Sequence, residues 1–362
     1  GNAMLHKAGV APTVAKATGD RCDPGEFRGM STIEIARAAL ERNGARPRGM
    51  SAREIVGNAL RLQPRNAVQT TGDFTALLEN ALRKTLLAAY NNTPDTWSRF
   101  CAQGVVQDFR PHPRYKLGMF SRLDSLSEGG EFRDKPVQDA EREVIQAATY
   151  GNMISLSRQA LISDDLSAFD RLATMLGRAA RLSVEVDVYN LFAENGGSGP
   201  TMADGQPFFD ASHNNIASTT GAPSVSTFDD ARTLMASQTD PWGNDFLDIR
   251  PSVWVGPMGL AGDARVANDS QFDPGETQRV PNKARGILSD VVDTPRLTGT
   301  AWYMFADPEQ IPAFEVAFLD GQSEPFLEQA SGWRVDGVQW KVRHDYGVAA
   351  LDYRGAVRNA GA

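Results

Sequence analysis

The sequence has little of what disulfide-stabilised proteins, nucleotide-binding enzymes and zinc proteins require. Its 362 residues include only two cysteines, Cys22 and Cys101, too few for a disulfide framework or a four-cysteine zinc site, which indicates a reducing compartment. Glycine is never followed by lysine, which excludes a P-loop, and no G-x-G-x-x-G segment follows a strand pattern, so a Rossmann cofactor site is not expected. The four histidines lack the spacing of a zinc metalloprotease.

The chain is also poor in positive charge and in long apolar runs. It carries 37 Lys and Arg against 45 Asp and Glu, a net charge of −8, whereas a protein that binds mainly to phosphates has a basic excess. Its longest uncharged run, 211–228, is polar, and nothing approaches the roughly 20 apolar residues that cross a bilayer. No signal-peptide pattern follows Gly1, and this start indicates either a cloning remnant before Met4 or a product of proteolysis. We expect a folded, water-soluble protein of about two domains.

Helices are predicted where a capping signal precedes a helical spacing of apolar residues. An eight-residue segment recurs twenty positions later, and each copy contains a Ser-x-x-Glu capping box, which begins at Ser31 and at Ser51. Two copies are too few for a solenoid and predict two short helices. A third helix is predicted after a cap at Asp73, and the longest helix, 164–195, ends at two glycines. At 1.5 Å per residue, the longest helix extends over roughly 46 Å.

A long projecting hairpin is predicted for 110–150. Three prolines in this segment forbid a continuous helix, and Ser127–Gly130 marks a tip among charges of both signs. The returning segment, Val144–Leu156, is uncharged and favours a strand. A hairpin of this length is uncommon in a compact domain unless it contacts a partner.

The C-terminal part of the chain has strand patterns. Phe314–Leu319 predicts one strand, and Asp336-Gly337 signals a two-residue hairpin turn in which Trp333 lies opposite Trp340. The middle of the chain adds a short helix, a strand, a polar loop and a second strand, at 228–238, 253–257, 268–285 and 300–305. The predicted class is therefore α+β with antiparallel strands.

Three motifs are similar to functional ones, but each has a simpler structural interpretation. Gly196–Pro200 resembles a nucleophile elbow, yet proline replaces the last glycine and a helix precedes it, which favours a linker. Asp269–Pro274 resembles a calcium loop, but Val280 stands where the bidentate glutamate belongs, so we reject a calcium site. Trp333 and Trp340 are a candidate ligand platform, although a cross-strand core pair is the simpler interpretation.

Two pairs of residues are candidates for catalysis. Asp210 and His213 are a candidate active-site pair, against the simpler interpretation that they stabilise a turn. Asp164 and Asp165 are candidate catalytic carboxylates, but acidic residues at a helix start also complement the helix dipole. We therefore assign no catalytic, cofactor-binding or metal-binding residue, and catalytic residues scattered along the chain stay an open alternative.

Several longer segments occur in a characteristic order along the chain. They are 73–90 with 94–97, 128–132, 150–151 with 157–166, 316–321, and 335–343. Together they resemble the major capsid proteins of tailed bacteriophages, specifically the Mu-like major head subunit group, over about 27–355. The resemblance rests on whole segments rather than on one short motif.

The resemblance implies an α+β chain with the Hong Kong 97-type phage capsid fold. This fold has an N-terminal arm, an extended loop over a neighbouring subunit, a long spine helix, and peripheral and axial domains. The implied regions are an N-terminal arm region with short helices at 1–109, the extended loop at 110–150, the peripheral domain at 151–227 and 314–362 including the spine helix at 164–195, and the axial domain at 228–313.

The function that the resemblance implies is structural. Copies of the chain would assemble as hexamers and pentamers into the icosahedral shell that encloses the double-stranded DNA of a tailed phage or prophage. The protein would occur in the virion, and in the host cytoplasm during assembly, with no enzyme activity, no cofactor and no sequence-specific DNA binding. A scaffold, a maturation protease, a portal and a decoration protein are further partners that the family uses. Some relatives crosslink a loop lysine, and Lys116 and Lys135 are the loop lysines here.

Two alternatives stay open at the level of the sequence. One is the shell protein of a cellular, encapsulin-like nanocompartment, which has the same fold and holds cargo enzymes. The more remote one is a hydrolase with a scattered site around Asp210 and His213.

Overall fold

The computed structural model of the protein describes residues 2, 23, 25–27, 30–42, 44–60, 74–116, 141–157, 166–240, 245–331 and 337–361. The helices are α1 (Thr32–Arg42), α2 (Ala52–Leu60), α3 (Phe74–Asn92), α4 (Leu166–Gly197), α5 (Val225–Ala236) and α6 (Ala261–Asp269). The strands are β1 (Cys101–Val106), β2 (His112–Lys116), β3 (Glu141–Ile145), β4 (Ala148–Ser157), β5 (Pro251–Pro257), β6 (Asp290–Thr294), β7 (Trp302–Ala306), β8 (Phe314–Leu319), β9 (Phe326–Ser331), β10 (Gly337–Ala350) and β11 (Ala356–Asn359). The predicted α+β class is confirmed.

The chain divides into two compact units. Unit one contains Gly1–Pro94, Thr149–Ser183 and Gln322–Asp345. Unit two contains Asp95–Ala148, Val184–Gly321 and Tyr346–Ala362. This division differs in kind from the four regions that the resemblance implies, whose boundaries stay a prediction.

Unit one is built around α1, α2 and α3, and both predicted capping boxes are present. The Ser31 hydroxyl accepts the Glu34 backbone N–H at 3.2 Å, and a Glu34 carboxylate oxygen accepts the Ser31 N–H at 2.7 Å. Ser51 and Glu54 repeat the pattern at 3.3 and 2.8 Å. The apolar faces of these helices form one core with residues of α4, β9 and β10. The members of this core include Ile35, Leu40, Ile55, Leu82, Leu86, Ala173, Leu327 and Trp340.

The described residues of unit two contain the pair β2–β3 and two larger groups of strands. In the first, β8 pairs in parallel with β1 and antiparallel with the end of β10, from Tyr346 to Ala350. In the second, the strand order is β11-β7-β5-β6, and β5 pairs in parallel with β6. Aromatic side chains fill the core, with Phe100 stacked on Phe305 at 4.9 Å between ring centroids.

Most of the predicted elements that lie within the described residues are present. The predicted third helix is α3, the short helix is α5, and the strands at 253–257, 300–305 and 314–319 are β5, β7 and β8. The predicted spine helix is α4, where the backbone leaves helical geometry at Glu194–Gly196, close to the predicted end. The expected cap at Asp73 lies outside the described residues, as do the acidic residues Asp164 and Asp165 at the predicted start of the spine helix.

The predicted strand arrangement needs three corrections. The expectation of antiparallel strands alone was wrong, because the pairs β1–β8 and β5–β6 are parallel. The hairpin register was also wrong, because Trp340 lies opposite Gln329 and Val338 opposite Ser331 in the β9–β10 pair. Trp333 itself lies outside the described residues. The elements that were not predicted include strand β1, in the region expected to hold only short helices, helix α6, just before the predicted loop, and the strands β6 and β11.

Candidate functional site

The root of the predicted long hairpin is a two-stranded ribbon. Strands β2 and β3 pair antiparallel, with His112 opposite Ile145 and Lys116 opposite Glu141. This register confirms the root of the hairpin, while its tip at Ser127–Gly130 and the loop residue Lys135 lie outside the described residues.

The two faces of the ribbon differ in burial. Residues on one face turn toward the rest of unit two, to which the ribbon belongs: Ile145 is fully buried, and Arg114 and Glu143 are partly buried. The opposite face, which we call the outward face, consists of Pro113, Tyr115, Arg142 and Val144, all of which are exposed. Tyr115 is 61% exposed and Val144 44% exposed. Alternation of side chains along each strand produces this division.

Arg114 anchors the ribbon to strand β8. Its Nε lies 3.1 and 3.0 Å from the two carboxylate oxygens of Glu315, and its second guanidinium nitrogen lies 2.6 Å from Oε1. The same nitrogen donates to the Val105 carbonyl at 3.0 Å. Glu315 is only 6% exposed, so this ion pair satisfies a carboxylate that would otherwise be buried without a partner.

Gly104 on β1 provides the space for that carboxylate. A Cβ atom at this position would lie 2.6 Å from the Glu315 Cδ, and nearer still to Oε1. Gly104 is not among the glycines with positive φ, so the missing side chain, and not backbone freedom, explains the residue.

Further contacts hold the ends of the ribbon. A Glu143 carboxylate oxygen accepts the Ala203 N–H at 3.1 Å, and the Gln146 side-chain amide donates to the Phe109 carbonyl at 2.9 Å. At the turn before β2, Asp108 accepts the Arg110 N–H at 2.9 Å, and this hydrogen bond lowers the pKa of the Asp108 carboxyl. Ile145 of the ribbon packs in a small core with Val106, Ala147 and Ala317.

The candidate pair Asp210 and His213 does not pair as an active-site dyad. Asp210 accepts the Ser212 backbone N–H at 2.8 Å and the Ser212 hydroxyl at 2.7 Å; the backbone bond is the main reason that the pKa of Asp210 is lowered. The His213 Nε2 lies 2.6 Å from Asp204, and its Nδ1 lies 3.0 Å from the Phe208 carbonyl. The His213 ring stacks on the ring of Tyr353. The turn-stabilising interpretation is therefore confirmed for Asp210.

The described residues of the remaining motifs lie in turns or in the core, although the predicted pairing of Trp340 with Trp333 is not found. Gly196–Pro200 forms the turn that ends α4, in which Ser198 and Gly199 both donate to the Glu194 carbonyl at 3.1 Å. Asp273 accepts the Gly275 N–H at 2.9 Å and so closes a turn. Trp340 is buried in the core of unit one.

Sequence reasoning did not identify Gly104, Arg114 or Glu315. A signal was present for one of them, since Glu315 is the sole charge in the strand Phe314–Leu319, whose other residues are apolar. A charge in a buried strand requires a partner, although the sequence does not indicate which one. No cluster of three or more metal-ligating side chains occurs in the described ranges. None of the described helices is both long enough and apolar enough to cross a membrane.

The exposed outward face carries Tyr115 and Arg142, residue types that are enriched in protein interfaces. The family described as phage capsid protein matches residues 140–359, which is more than half of the chain. The chain therefore belongs to the phage capsid protein family. Membership of the Mu-like group stays a prediction.

Several solved structures are similar to this chain. The procapsid of bacteriophage JBD30 has 15% sequence identity, with 80% of this chain and 76% of that chain covered and a TM-score of 0.44. The capsid of cyanophage P-SCSP1u has 10% identity, coverage of 75% and 89%, and a TM-score of 0.48. A virus-like particle from Pyrococcus furiosus has 12% identity, coverage of 77% and 98%, and a TM-score of 0.45. No curated protein matches the chain. The family match alone carries the assignment.

Proposed function

We propose that the protein is the major capsid protein of a tailed phage or prophage. Its copies assemble as hexamers and pentamers into an icosahedral shell with the Hong Kong 97-type fold, and this shell encloses double-stranded DNA. The observation that carries the proposal is the family match over 140–359, which includes the second ribbon strand β3, the long helix α4 and the strands of both units except β1 and β2. The role is structural, and no catalysis or cofactor is part of it.

The outward face of the ribbon supports contact between copies. Tyr115, Arg142 and Val144 lie side by side on it, and Tyr and Arg are enriched where protein interfaces bury most of their binding energy. In a closed shell one modest contact is repeated by symmetry, so weak individual interfaces add up to a stable particle.

The charge of the chain supports a container for DNA. With a net charge of −8, the chain as a whole repels phosphates, so the wall does not hold its contents tightly. A scaffold, a maturation protease, a portal and a decoration protein are further partners in this proposal, as is assembly in the host cytoplasm followed by residence in the virion. The family match does not favour the nanocompartment alternative.

Negative-stain electron microscopy of the expressed chain after size exclusion tests the proposal. Closed particles, or flat sheets of hexamers and pentamers, are the expected result. Particles purified from an induced host should contain nuclease-protected DNA, whereas a protein cargo in place of DNA would indicate the nanocompartment. A chain that stays monomeric and also resists proteolysis between 110 and 150 would contradict the proposal, because it would have neither a shell nor a projecting loop.

A further inference from the structure

We infer that Arg114 and Glu315 are positioning residues that fix the direction of the ribbon before assembly, so that its outward face is presented to a second copy of the chain. The inference rests on the proposed function, since it concerns how a shell subunit is prepared for its neighbours.

The geometry of the ion pair restrains the ribbon in direction as well as in distance. Two guanidinium nitrogens of Arg114 reach both oxygens of Glu315, at 2.6 to 3.1 Å. A planar guanidinium that binds a carboxylate through two nitrogens restrains orientation, whereas a single contact restrains only separation. A further hydrogen bond, to the Val105 carbonyl, ties the same side chain to strand β1.

The anchor point is rigid. Glu315 lies on β8, which has β1 on one side and β10 on the other. Arg114 and Glu315 are 201 positions apart in sequence, so the pair connects the ribbon to a distant part of the chain.

Gly104 is the third residue on which the Arg114–Glu315 contact depends. It faces the Glu315 carboxylate and leaves it room to turn toward Arg114. A methyl group here would displace the carboxylate without changing any charge. Gly104→Ala therefore tests the same contact as the charge variants by an independent route.

Hydrogen exchange of the unassembled subunit provides the first measurement. Arg114→Lys, Glu315→Gln and Gly104→Ala should each accelerate amide exchange in β2 and β3 by about tenfold or more, the factor that corresponds to one charge-assisted hydrogen bond. Exchange in β7, a strand of the other sheet of unit two, should be unchanged. Asp293→Asn is the control, since it breaks a more exposed, single-contact ion pair with Arg265, at 2.5 Å, away from the ribbon. This control should leave the rate of amide exchange in β2 and β3 unchanged.

Particle formation provides the second measurement, scored by microscopy per folded subunit. The three variants should give fewer closed particles than the wild type or Asp293→Asn. Unchanged exchange in β2 and β3, or an equal increase in β7, would overturn the inference even if shells still formed. If the wild-type chain formed no shell under any condition, the proposed function would fail. The hydrogen-exchange measurement would still decide whether the ion pair holds the ribbon.

Discussion

At the scale of single residues, the clearest titratable group in unit one is a buried histidine. His344 is 4% exposed, its Nε2 lies 3.1 Å from the Ser323 carbonyl, and the Tyr90 ring meets it edge-on at 5.6 Å. Burial lowers the pKa of His344 below its ordinary value of 6.5 and outweighs the opposite effects of Ser323 and Asp345, while Arg181 lowers it further.

The lowered pKa of His344 predicts a loss of stability in mild acid. Below about pH 6.5 the unfolded chain takes up a proton at this histidine, whereas the folded chain does not until the pH reaches its lower pKa. The free energy of unfolding should therefore fall as the pH is lowered from 7 toward 5.5, and His344→Gln should reduce that fall. Urea unfolding at both pH values provides the measurement. His112→Gln, in the other unit, is the control. It should leave the decrease in the free energy of unfolding of unit one between pH 7 and 5.5 unchanged.

A single glycine allows two helices of unit one to approach each other closely. A Cβ atom on Gly177 of α4 would lie 2.9 Å from the Ala89 Cβ and closer still to the Leu86 carbonyl of α3. Gly177→Ala should therefore destabilise unit one by about 1–3 kcal/mol through overpacking, measured by urea unfolding.

Gly262 of α6 is the matched control for that substitution. A Cβ atom added there would meet no other atom within 4 Å, so Gly262→Ala should be neutral or stabilising by up to about 1 kcal/mol. Equal effects at Gly177 and Gly262 would show that helix propensity, and not the helix contact, explains Gly177.

At the scale of the elements, the two short helices α1 and α2 depend on their capping boxes. Removal of either serine leaves a backbone N–H without its acceptor at the helix start. Ser31→Ala and Ser51→Ala should each lower the free energy of unfolding of unit one by about 1 kcal/mol, measured by urea unfolding. Ser183→Ala serves as the control, because its hydroxyl only bonds back to the Ala179 carbonyl inside α4, at 2.8 Å. A loss as large in Ser183→Ala would argue against the capping role.

The β9–β10 pair shows where element-level prediction fails. The Asp336-Gly337 signal concerns two residues, but the 14 residues of β10 must also pair with β8 and lie beside β4. A strand is placed by all of its neighbours together, and their pairing sets the register of Trp340 against Gln329.

At the scale of the whole molecule, the predicted extended loop should be accessible before assembly and covered afterwards. Limited trypsin digestion of the unassembled subunit is expected to cleave first within 110–150, which is rich in Lys and Arg and low in apolar surface. Assembled particles treated in the same way should be cut there at least about tenfold more slowly, because binding to a neighbour suppresses the open states that proteases need. Cleavage sites are identified by mass spectrometry. Equal rates in both states would contradict a loop that contacts a neighbouring subunit.

Features that depend on neighbouring residues were predictable from the order of the amino acids. The capping boxes at Ser31 and Ser51, the apolar spacing of α3 and α4, and the strand Phe314–Leu319 all involve groups a few positions apart, so their physical signals are local. The turn role of Asp210 belongs to the same kind, since its partner is Ser212. The order of whole segments was enough to indicate the phage capsid family, which the match over 140–359 confirmed.

Contacts between distant residues became known only from the folded chain. The parallel pairing of β1 with β8, the contact of Gly177 with α3, and the bonds between Arg114 and Glu315 depend on chain segments that folding brings together. Such contacts leave a weak trace in one sequence, because a buried charge or an isolated glycine indicates that a partner exists without identifying it. The direction of the ribbon is set by one of these contacts, and for that reason it could not be predicted from the sequence alone.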